Sequence, residues 1–135
     1  MIKWTPQYAV GVKIIDAQHQ KFFGTFNELY DAFLRGDAKD KLVTVLHELS
    51  DYADYHFAVE ENYFDEFKYE GAEEHLLQHM DFRTQIFEFK KHFFREDDLE
   101  RLAGELVELL DYWLVKHVVE MDQKYVPCFK EHGLE

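Results

Sequence analysis

The sequence predicts an all-α protein, an antiparallel up-down-up-down four-helix bundle with an N-terminal arm. Apolar residues recur every three or four positions in four successive blocks, which is the period of an amphipathic helix. Only two prolines and six glycines interrupt the 135 residues, and so few breaks favour long helices over a many-turned β architecture. The links between the blocks are short, which favours antiparallel neighbours.

The ends of the helices follow from start and stop signals. Asp16 is a favourable N-cap for the first helix, and Gly36 is a favourable residue to end it. The fourth helix is expected to open near Asp97. We expect a single domain over residues 1–135, with an arm over about 1–15, a bundle over about 16–120 and a C-terminal tail over about 121–135.

The composition excludes several classes of partner. A net charge of −13 disfavours binding to nucleic acid or to an anionic membrane surface, and it favours a soluble monomer. No stretch approaches the roughly 20 apolar residues that span a bilayer, so we expect no membrane insertion. The single cysteine, Cys128, cannot form an internal disulfide, and no signal peptide is recognised. We therefore expect a cytoplasmic protein.

Seven potential metal ligands occur at spacings that bring them to one end of such a bundle. The intervals from His56 to Glu60 and from His75 to His79 are four residues, which stacks each pair on one helical face. The first two helices each run about 25 Å between ligand level and turn, so the chain returns to the same level. The predicted ligands are His19, His56, Glu60, His75, His79, His117 and Asp122.

This ligand set predicts a dinuclear centre. Five imidazoles and two carboxylates exceed the about four ligands that one zinc ion takes, and they suit two octahedral first-row ions bridged by carboxylates. Calcium and magnesium prefer oxygen ligands, and the imidazole content favours iron over manganese. A nitrogen-rich ligand set donates little negative charge, which favours reversible dioxygen binding over dioxygen cleavage. Without metal, the inward histidines and Glu60 would each need a hydrogen-bond partner in an apolar core.

Asp122, three further histidines and a set of aromatic residues need separate interpretation. Asp122 follows His117 by five residues, about 140° off its helical face, and it can join the site only from a distorted or ending last turn. The other histidines, His47, His92 and His132, are expected to face solvent. An aromatic stripe predicts core packing, and the members near the histidines are candidates for a dry pocket: Phe22, Phe23, Phe26, Tyr52, Tyr63, Phe82 and Trp113.

The whole pattern resembles the metal-binding signature of the hemerythrins. The motifs that carry the resemblance are His19, His56-x-x-x-Glu60, His75-x-x-x-His79 and His117-x-x-x-x-Asp122. Residues 2–4, 10–11, 15–19 and 113–114 are also similar to bacterial members. The similarity runs from about residue 2 to residue 122, and the 38-residue interval between the last two motifs is typical of single-domain bacteriohemerythrins.

The resemblance implies a role for each ligand. A coordinatively saturated iron ion would be held by His75, His79 and His117. A second iron ion, with an open position for dioxygen, would be held by His19 and His56. The two ions would be bridged by an oxo or hydroxo group and by Glu60 and Asp122.

The resemblance further implies reversible dioxygen binding by a carrier, store or local supplier of oxygen that is not an enzyme. An oxygen-consuming enzyme would then be a partner. Two alternatives remain open on the sequence. The same site could belong to a di-iron redox enzyme or sensor that handles peroxide or nitric oxide, or the chain could be a structural bundle without metal.

Overall fold

The computed structural model describes residues 3–93, 95 and 98–135, and this part of the chain is helical with no strand. The long helices are α1 (Lys13–Arg35), α2 (Leu42–Phe67), α3 (Ala72–Phe93) and α4 (Leu99–Trp113). A π-helical segment (Leu114–Met121), a 3-10 turn (Asp122–Tyr125) and the short helix α5 (Val126–Glu131) follow. Further 3-10 turns lie at Pro6–Tyr8 and Ala38–Asp40. The predicted all-α class with four long helices is confirmed.

The start of α1 corrects the sequence expectation. The helix begins three residues before Asp16, and its N-cap is Val12, whose side chain makes no capping hydrogen bond. The Asp16 carboxylate instead accepts a hydrogen bond of 2.8 Å from the amide of Val10. The aspartate therefore holds the preceding segment against the first turn of the helix, and the expected N-cap role is wrong.

The other helix ends follow their local signals. Gly36 ends α1 in the left-handed conformation, at φ 79°, where glycine has no Cβ to clash. Lys68 ends α2 with φ 54°, and a new helix begins four residues later. The side chain of Asp98 accepts from the amide of Arg101 and caps α4. Ile2 and Asp97, on which two sequence predictions fall, lie outside the described residues.

Hydrogen bonds between helices show which levels of the bundle meet. Thr25 of α1 donates to Glu48 of α2 at 2.8 Å, while His19, earlier in α1, contacts His56, later in α2, at 3.1 Å. Arg83 of α3 donates to the carbonyl oxygen of Ala53 at 3.2 Å. The late part of α2 thus lies beside the early part of α1. Among the described residues no helix has the length and apolarity to cross a membrane.

The core consists of two apolar clusters. The larger cluster fills the space between the four long helices from Phe22 to Val118. The smaller cluster joins the segment before α1 to the end of α2 and to α5, and it includes Phe64, Tyr125 and Phe129. Tyr125 and Phe129 are fully buried. Residues expected to form a tail therefore pack into the protein and close the end at which the predicted ligands lie.

Candidate metal centre

All seven predicted ligands are buried, and they come from α1, α2, α3 and the segment after α4. Each has a relative exposure of 1% or less. An ionised carboxylate and several imidazoles at such depth are costly to bury unless a cation or a hydrogen-bond partner compensates them. Their common burial is the first indication that they act as a unit.

The side chains form two groups that meet in the middle. One group consists of Glu60, His75, His79 and His117, and the other consists of His19, His56, Glu60 and Asp122. In each group the four potential ligand atoms lie within 4.8 Å of one another. Glu60 belongs to both. Two groups with a shared carboxylate are the arrangement expected for two neighbouring metal ions.

Asp122 also faces both groups, because its two oxygens point in different directions. Its Oδ2 lies 2.9 Å from Nε2 of His19, while its Oδ1 lies 2.9 Å from Nε2 of His75 and 3.0 Å from Nε2 of His117. Glu60 reaches both groups with one oxygen. Its Oε1 lies 3.2 Å from Nε2 of His56, in the second of these groups. The same oxygen lies 3.1 Å from Nε2 of His79, in the other group. Both carboxylates are placed to bridge.

A π-helical segment explains how Asp122 reaches the site. In this segment each backbone hydrogen bond spans five residues, so that residues five apart lie one turn apart. His117 lies within the segment and Asp122 directly follows it. The 140° offset expected in a regular α-helix is thereby reduced, and the amide of Asp122 bonds the carbonyl oxygen of His117. The sequence argument required a distorted last turn, and the structure supplies one.

Three histidines are oriented by hydrogen bonds from the ring nitrogen that faces away from the centre. Nδ1 of His56 contacts Oε1 of Gln18 at 2.7 Å, and Nδ1 of His117 contacts Oε1 of Gln78 at 2.7 Å. Because each amide oxygen accepts, Nδ1 carries the hydrogen and Nε2 presents a lone pair to the interior. Acceptors of this kind fix the tautomer of metal-binding histidines.

The third such histidine is His79, whose Nδ1 donates to Oε2 of Glu61 at 2.8 Å. Here the acceptor is a carboxylate, which raises the basicity of the imidazole more than an amide does. Gln18, Glu61 and Gln78 were not predicted from the sequence. Each neighbours a predicted ligand in the chain, but the partner it bonds lies on another helix, and only the packing reveals the pairing.

Atoms at the centre are close together and still lack hydrogen-bond partners. The nitrogen–oxygen separations are those of ion pairs, yet their alignment does not satisfy hydrogen-bond geometry. The unpartnered atoms include both carboxylate oxygens of Glu60 and Asp122 and Nε2 of His75, His79 and His117. Buried polar atoms are normally satisfied. Oxygens and nitrogens that converge without bonding one another fit a pair of cations held between them.

The carboxylates are anionic in these surroundings. Burial alone would raise the pKa of Glu60, but its close contacts with His56, His75 and His79 outweigh burial and hold the pKa well below its usual range. Burial and the neighbouring Glu60 likewise oppose ionisation of Asp122, and His117 and His19 outweigh them and lower its pKa. Two negative charges at the centre match the requirement of bridging ligands.

The histidines respond differently to the same charges. Burial alone would lower the pKa of His75, but Asp122 and Glu60 outweigh it and raise the pKa to about 9. For His56 and His117 burial prevails over the carboxylates and lowers the pKa. The last two imidazoles are therefore held neutral, which is the form that binds a metal.

Aromatic rings cover the histidines on the side of the bundle core. Phe57 stacks on His79 with ring centroids 3.7 Å apart, and Trp113 stacks on His117 at 3.8 Å. Tyr52 stacks on His56 at 4.9 Å. Tyr52 and Trp113 were among the aromatic residues predicted to lie near the site, whereas Phe57 was missed. It continues the apolar stripe of α2 directly after a ligand, and that was the available signal.

The remaining predicted aromatic residues occupy several places. Phe22 and Phe82 lie beside Tyr52, with ring centroids 5.1 and 6.1 Å away. Phe23 and Phe26 are buried in the larger core cluster. Tyr63 is only partly buried and packs against the smaller cluster. The dry surface over the histidines is therefore built from part of the predicted stripe.

The histidines predicted to face solvent do so. The side chains of His47 and His92 are 77% and 60% exposed, and each lies beside a carboxylate one turn away in its own helix. His132 is exposed and stacks on Phe67 at 4.2 Å. Its Nδ1 bonds the carbonyl oxygen of Cys128 at 2.8 Å. None of the three approaches the buried centre.

Comparison with known proteins gives the chain a family. Residues 10–129 match the family model described as "Hemerythrin HHE cation binding domain". A bacteriohemerythrin of Clostridium acetobutylicum is 28% identical over 131 residues, which cover 93% of this chain and 99% of that protein. A bacteriohemerythrin of Pseudomonas aeruginosa is 31% identical over 127 residues, which cover 94% of this chain and 80% of that protein.

A more distant relative is a hemerythrin-like protein of Naegleria gruberi, 25% identical over 122 residues that cover 90% of this chain and 88% of that protein. The family match spans the four long helices and the segment after them, and so includes every predicted ligand. A buried His/Glu/Asp cluster suited to metal lies within the same span. This chain belongs to the hemerythrin family.

Proposed function

We propose that this chain binds dioxygen reversibly at a non-haem di-iron centre and acts as an oxygen carrier, store or local supplier. The observation that carries the proposal is the pair of buried ligand groups that share Glu60 and meet at Asp122. The two relatives named bacteriohemerythrin, similar over nearly the whole chain, support the same function.

The roles proposed for the ligands follow the two groups. One iron ion would be held by His75, His79 and His117, and the other by His19 and His56. Glu60 and Asp122 would bridge them together with an oxo or hydroxo group. When bound, the iron pair would supply two electrons and an open coordination position, which is the chemistry that reversible dioxygen binding needs.

The protein's own part in this function is to keep the centre dry and its ligands aligned. Stacked rings from Tyr52, Phe57 and Trp113 cover the histidines on the core side. Gln18 and Gln78 hold two imidazoles in the tautomer whose Nε2 faces the metal. Exclusion of water protects a reversible complex from side reactions such as hydrolysis and proton leakage.

Buried phenols support a carrier rather than an enzyme. Burial, with repulsion from the carboxylates, raises the pKa of Tyr52 and Tyr125 well above the usual range. Both hydroxyl groups therefore keep their protons at neutral pH and are poor general acids, because an effective acid has a pKa near the working pH. Reduction of dioxygen or peroxide needs proton delivery, and these two buried hydroxyl groups are poorly suited to it.

We propose the following setting for the site. The four long helices form a single domain in up-down-up-down antiparallel order, and the contacts of α1 with α2 agree with this order. The chain works as a monomer in the cytoplasm and passes oxygen to an oxygen-consuming enzyme. Its net charge of −13 opposes self-association and binding to nucleic acid.

An optical experiment tests this proposal. The iron-loaded protein is reduced without oxygen, and its spectrum is recorded before air, after air and after flushing with argon. A visible absorption band that appears with air and fades under argon is the expected result. Direct conversion to a stable oxidised spectrum, with peroxide or nitric oxide consumed in turnover, would favour the enzyme or sensor alternative.

A further inference from the structure

A surface groove between α3 and α4 reaches one ligand of the centre from outside. Its volume is about 340 Å³. Trp113 and His117, both buried, contribute to its inner wall, and exposed Leu77 and Tyr112 stand at its mouth. The other lining residues are Glu74, Gln78, Asp81, Gln85, Leu109 and Lys116.

Aromatic contact continues from this groove to the buried centre. The rings of Trp113 and His117 lie 3.8 Å apart and nearly parallel, at 9°. Nε2 of the same histidine lies 3.0 Å from Oδ1 of Asp122. A molecule seated in the groove would therefore be separated from the proposed metal position by one imidazole ring and its stacked indole.

We propose that this groove docks a basic one-electron carrier protein and that Trp113 and His117 conduct its electrons to the metal centre. The inference rests on the proposed function, because an iron pair that gives electrons to dioxygen must be returned to its reduced state after oxidation. Two successive encounters would supply the two electrons that return the iron pair to its reduced state. Each carrier would lose one electron, and one proton would enter from solvent to balance the charge.

The charges of the groove select a basic partner. Glu74 and Asp81 are exposed carboxylates on its α3 wall. The one basic side chain of the lining, Lys116, lies 3.8 Å from Glu120, and this pair offsets its charge. Beside these two carboxylates, Leu77 and Tyr112 expose apolar surface at the groove mouth. An apolar centre with a charged edge suits transient docking steered by opposite charge.

A second copy of the chain is a poor occupant by the same reasoning, because each copy carries a net charge of −13 and two acidic walls would repel.

A separate pocket of about 270 Å³ opens on the α1–α2 side, and Gln18, Tyr52 and His56 contribute to its lining. That pocket adjoins the group proposed to hold dioxygen. The groove adjoins the other group, so electrons and dioxygen would arrive from different sides.

Zero-length cross-linking tests the docking without any oxygen chemistry. The iron-loaded protein is treated with carbodiimide in the presence of cytochrome c, a basic haem protein used as the probe, and joined peptides are identified by mass spectrometry. We expect lysines of cytochrome c joined to Glu74 and Asp81. Cross-links spread equally over other exposed carboxylates, such as Asp54 and Glu66, would overturn the proposal, as would joining of two copies of this chain at the groove.

Electron transfer between the centre and the same probe, measured in the reverse direction, tests whether the groove is the place where electrons cross. Two ferric cytochrome c molecules should take two electrons from each reduced centre, and haem absorbance follows the rate. The double variant Glu74→Gln/Asp81→Asn should slow this reaction about tenfold at low salt, since two steering charges are lost. Oxidation by ferricyanide, a small anion, should not slow.

The matched control is Asp54→Asn/Glu66→Gln, which removes the same number and type of charges from exposed positions of α2. It should leave the cytochrome c rate within about twofold of the unaltered protein. Equal slowing by both double variants would show that only the overall charge of the protein matters, and it would overturn the proposal that the groove is the docking site. If the absorption band does not fade under argon but the groove cross-links still form, the oxygen-binding function is wrong and the docking proposal stands.

Discussion

At the scale of single residues, the centre depends as much on the atoms behind each imidazole as on the imidazoles themselves. The Nδ1 groups of His56 and His117 are committed to glutamine oxygens 2.7 Å away. Their Nε2 lone pairs therefore point toward the interior of the centre. His19 and His75 have no partner at Nδ1, so no acceptor behind the ring fixes their orientation. The ligands therefore differ in how firmly they are held.

Replacement of His56 by alanine should abolish reversible oxygen binding, because the proposed open position loses one of its two histidines. We expect iron content to fall from two toward one per chain, with helical circular dichroism retained. Iron is measured by plasma mass spectrometry, and His47→Ala, an exposed site on the same helix, serves as the control. A His56→Ala protein that still cycles oxygen normally would show that the ligand assignment is wrong.

Gln18→Leu keeps the size of the side chain and removes the acceptor of His56. Loss of such an outer partner typically weakens metal affinity about 10–100-fold. We expect a corresponding rise in the rate at which a chelator extracts iron. Gln20→Leu, an exposed glutamine of the same helix, should extract at the unaltered rate. Equal rates in the two variants would mean that packing alone orients this imidazole.

At the scale of elements, the π-helical segment after α4 is what brings the last two ligands together. Leu114–Met121 follows α4 without a break, and five-residue hydrogen bonds bring Asp122 to the face of His117. A regular helix would place the carboxylate on its flank. Segments of this kind are uncommon and concentrate at functional sites. The irregular backbone costs free energy, and we expect that cost to be offset by a role of the Asp122 carboxylate at the centre.

Insertion of one alanine after Val119 tests this view. The carboxylate of Asp122 then follows His117 by six residues, which in a regular helix is about 240° round from the face of the histidine. We predict fewer than two bound iron ions per chain and no oxygen-dependent absorption band. Val119→Ala keeps the register and should retain both ions. Two tightly held ions in the insertion variant would show that the bridge does not depend on the five-residue spacing.

At the scale of the whole molecule, the stability of the metal-free chain should depend on pH in two directions. The pKa values of Glu60 and Asp122 are lowered by folding, so their stabilising contribution is present above the unfolded values and is lost as pH falls. The pKa of His75 is raised from 6.5 to about 9, so its contribution is present below 6.5 and is lost as pH rises to 9.

Urea unfolding of the chelator-treated protein between pH 3 and 10 measures this dependence. We expect stability to rise as the carboxylates ionise and to decline as His75 loses its proton between about pH 6.5 and 9. The neutral histidines His56 and His117, whose pKa is lowered, add to the loss in acid. The iron-loaded protein should not show the alkaline decline, because the metal replaces the proton. A flat profile above pH 7 would contradict the proposed charge state.

Much of this molecule could be predicted from its sequence, and the failures have a common physical origin. Helical period located the four long helices, and Gly36 marked the end of the first, since these are local properties. The spacing His56–Glu60 placed two ligands on one face for the same reason. The role of Asp16, the contact of Gln18 with a distant helix and the burial of Phe129 depend on tertiary packing. The sequence called for a distortion before Asp122 but could not specify a π-helical turn.

Ligands that begin at His19 and end at Asp122 give the proposed iron pair a second consequence. A bond between distant parts of a chain stabilises the fold by limiting the freedom of the unfolded state, and a loop of about 100 residues is worth roughly 4–5 kcal/mol in a simple entropy model. Extracellular proteins obtain such ties from disulfides, and this chain has only Cys128. Bound iron would therefore act as the cross-link of this chain, and a shortage of iron would leave the fold less stable and more open to proteolysis.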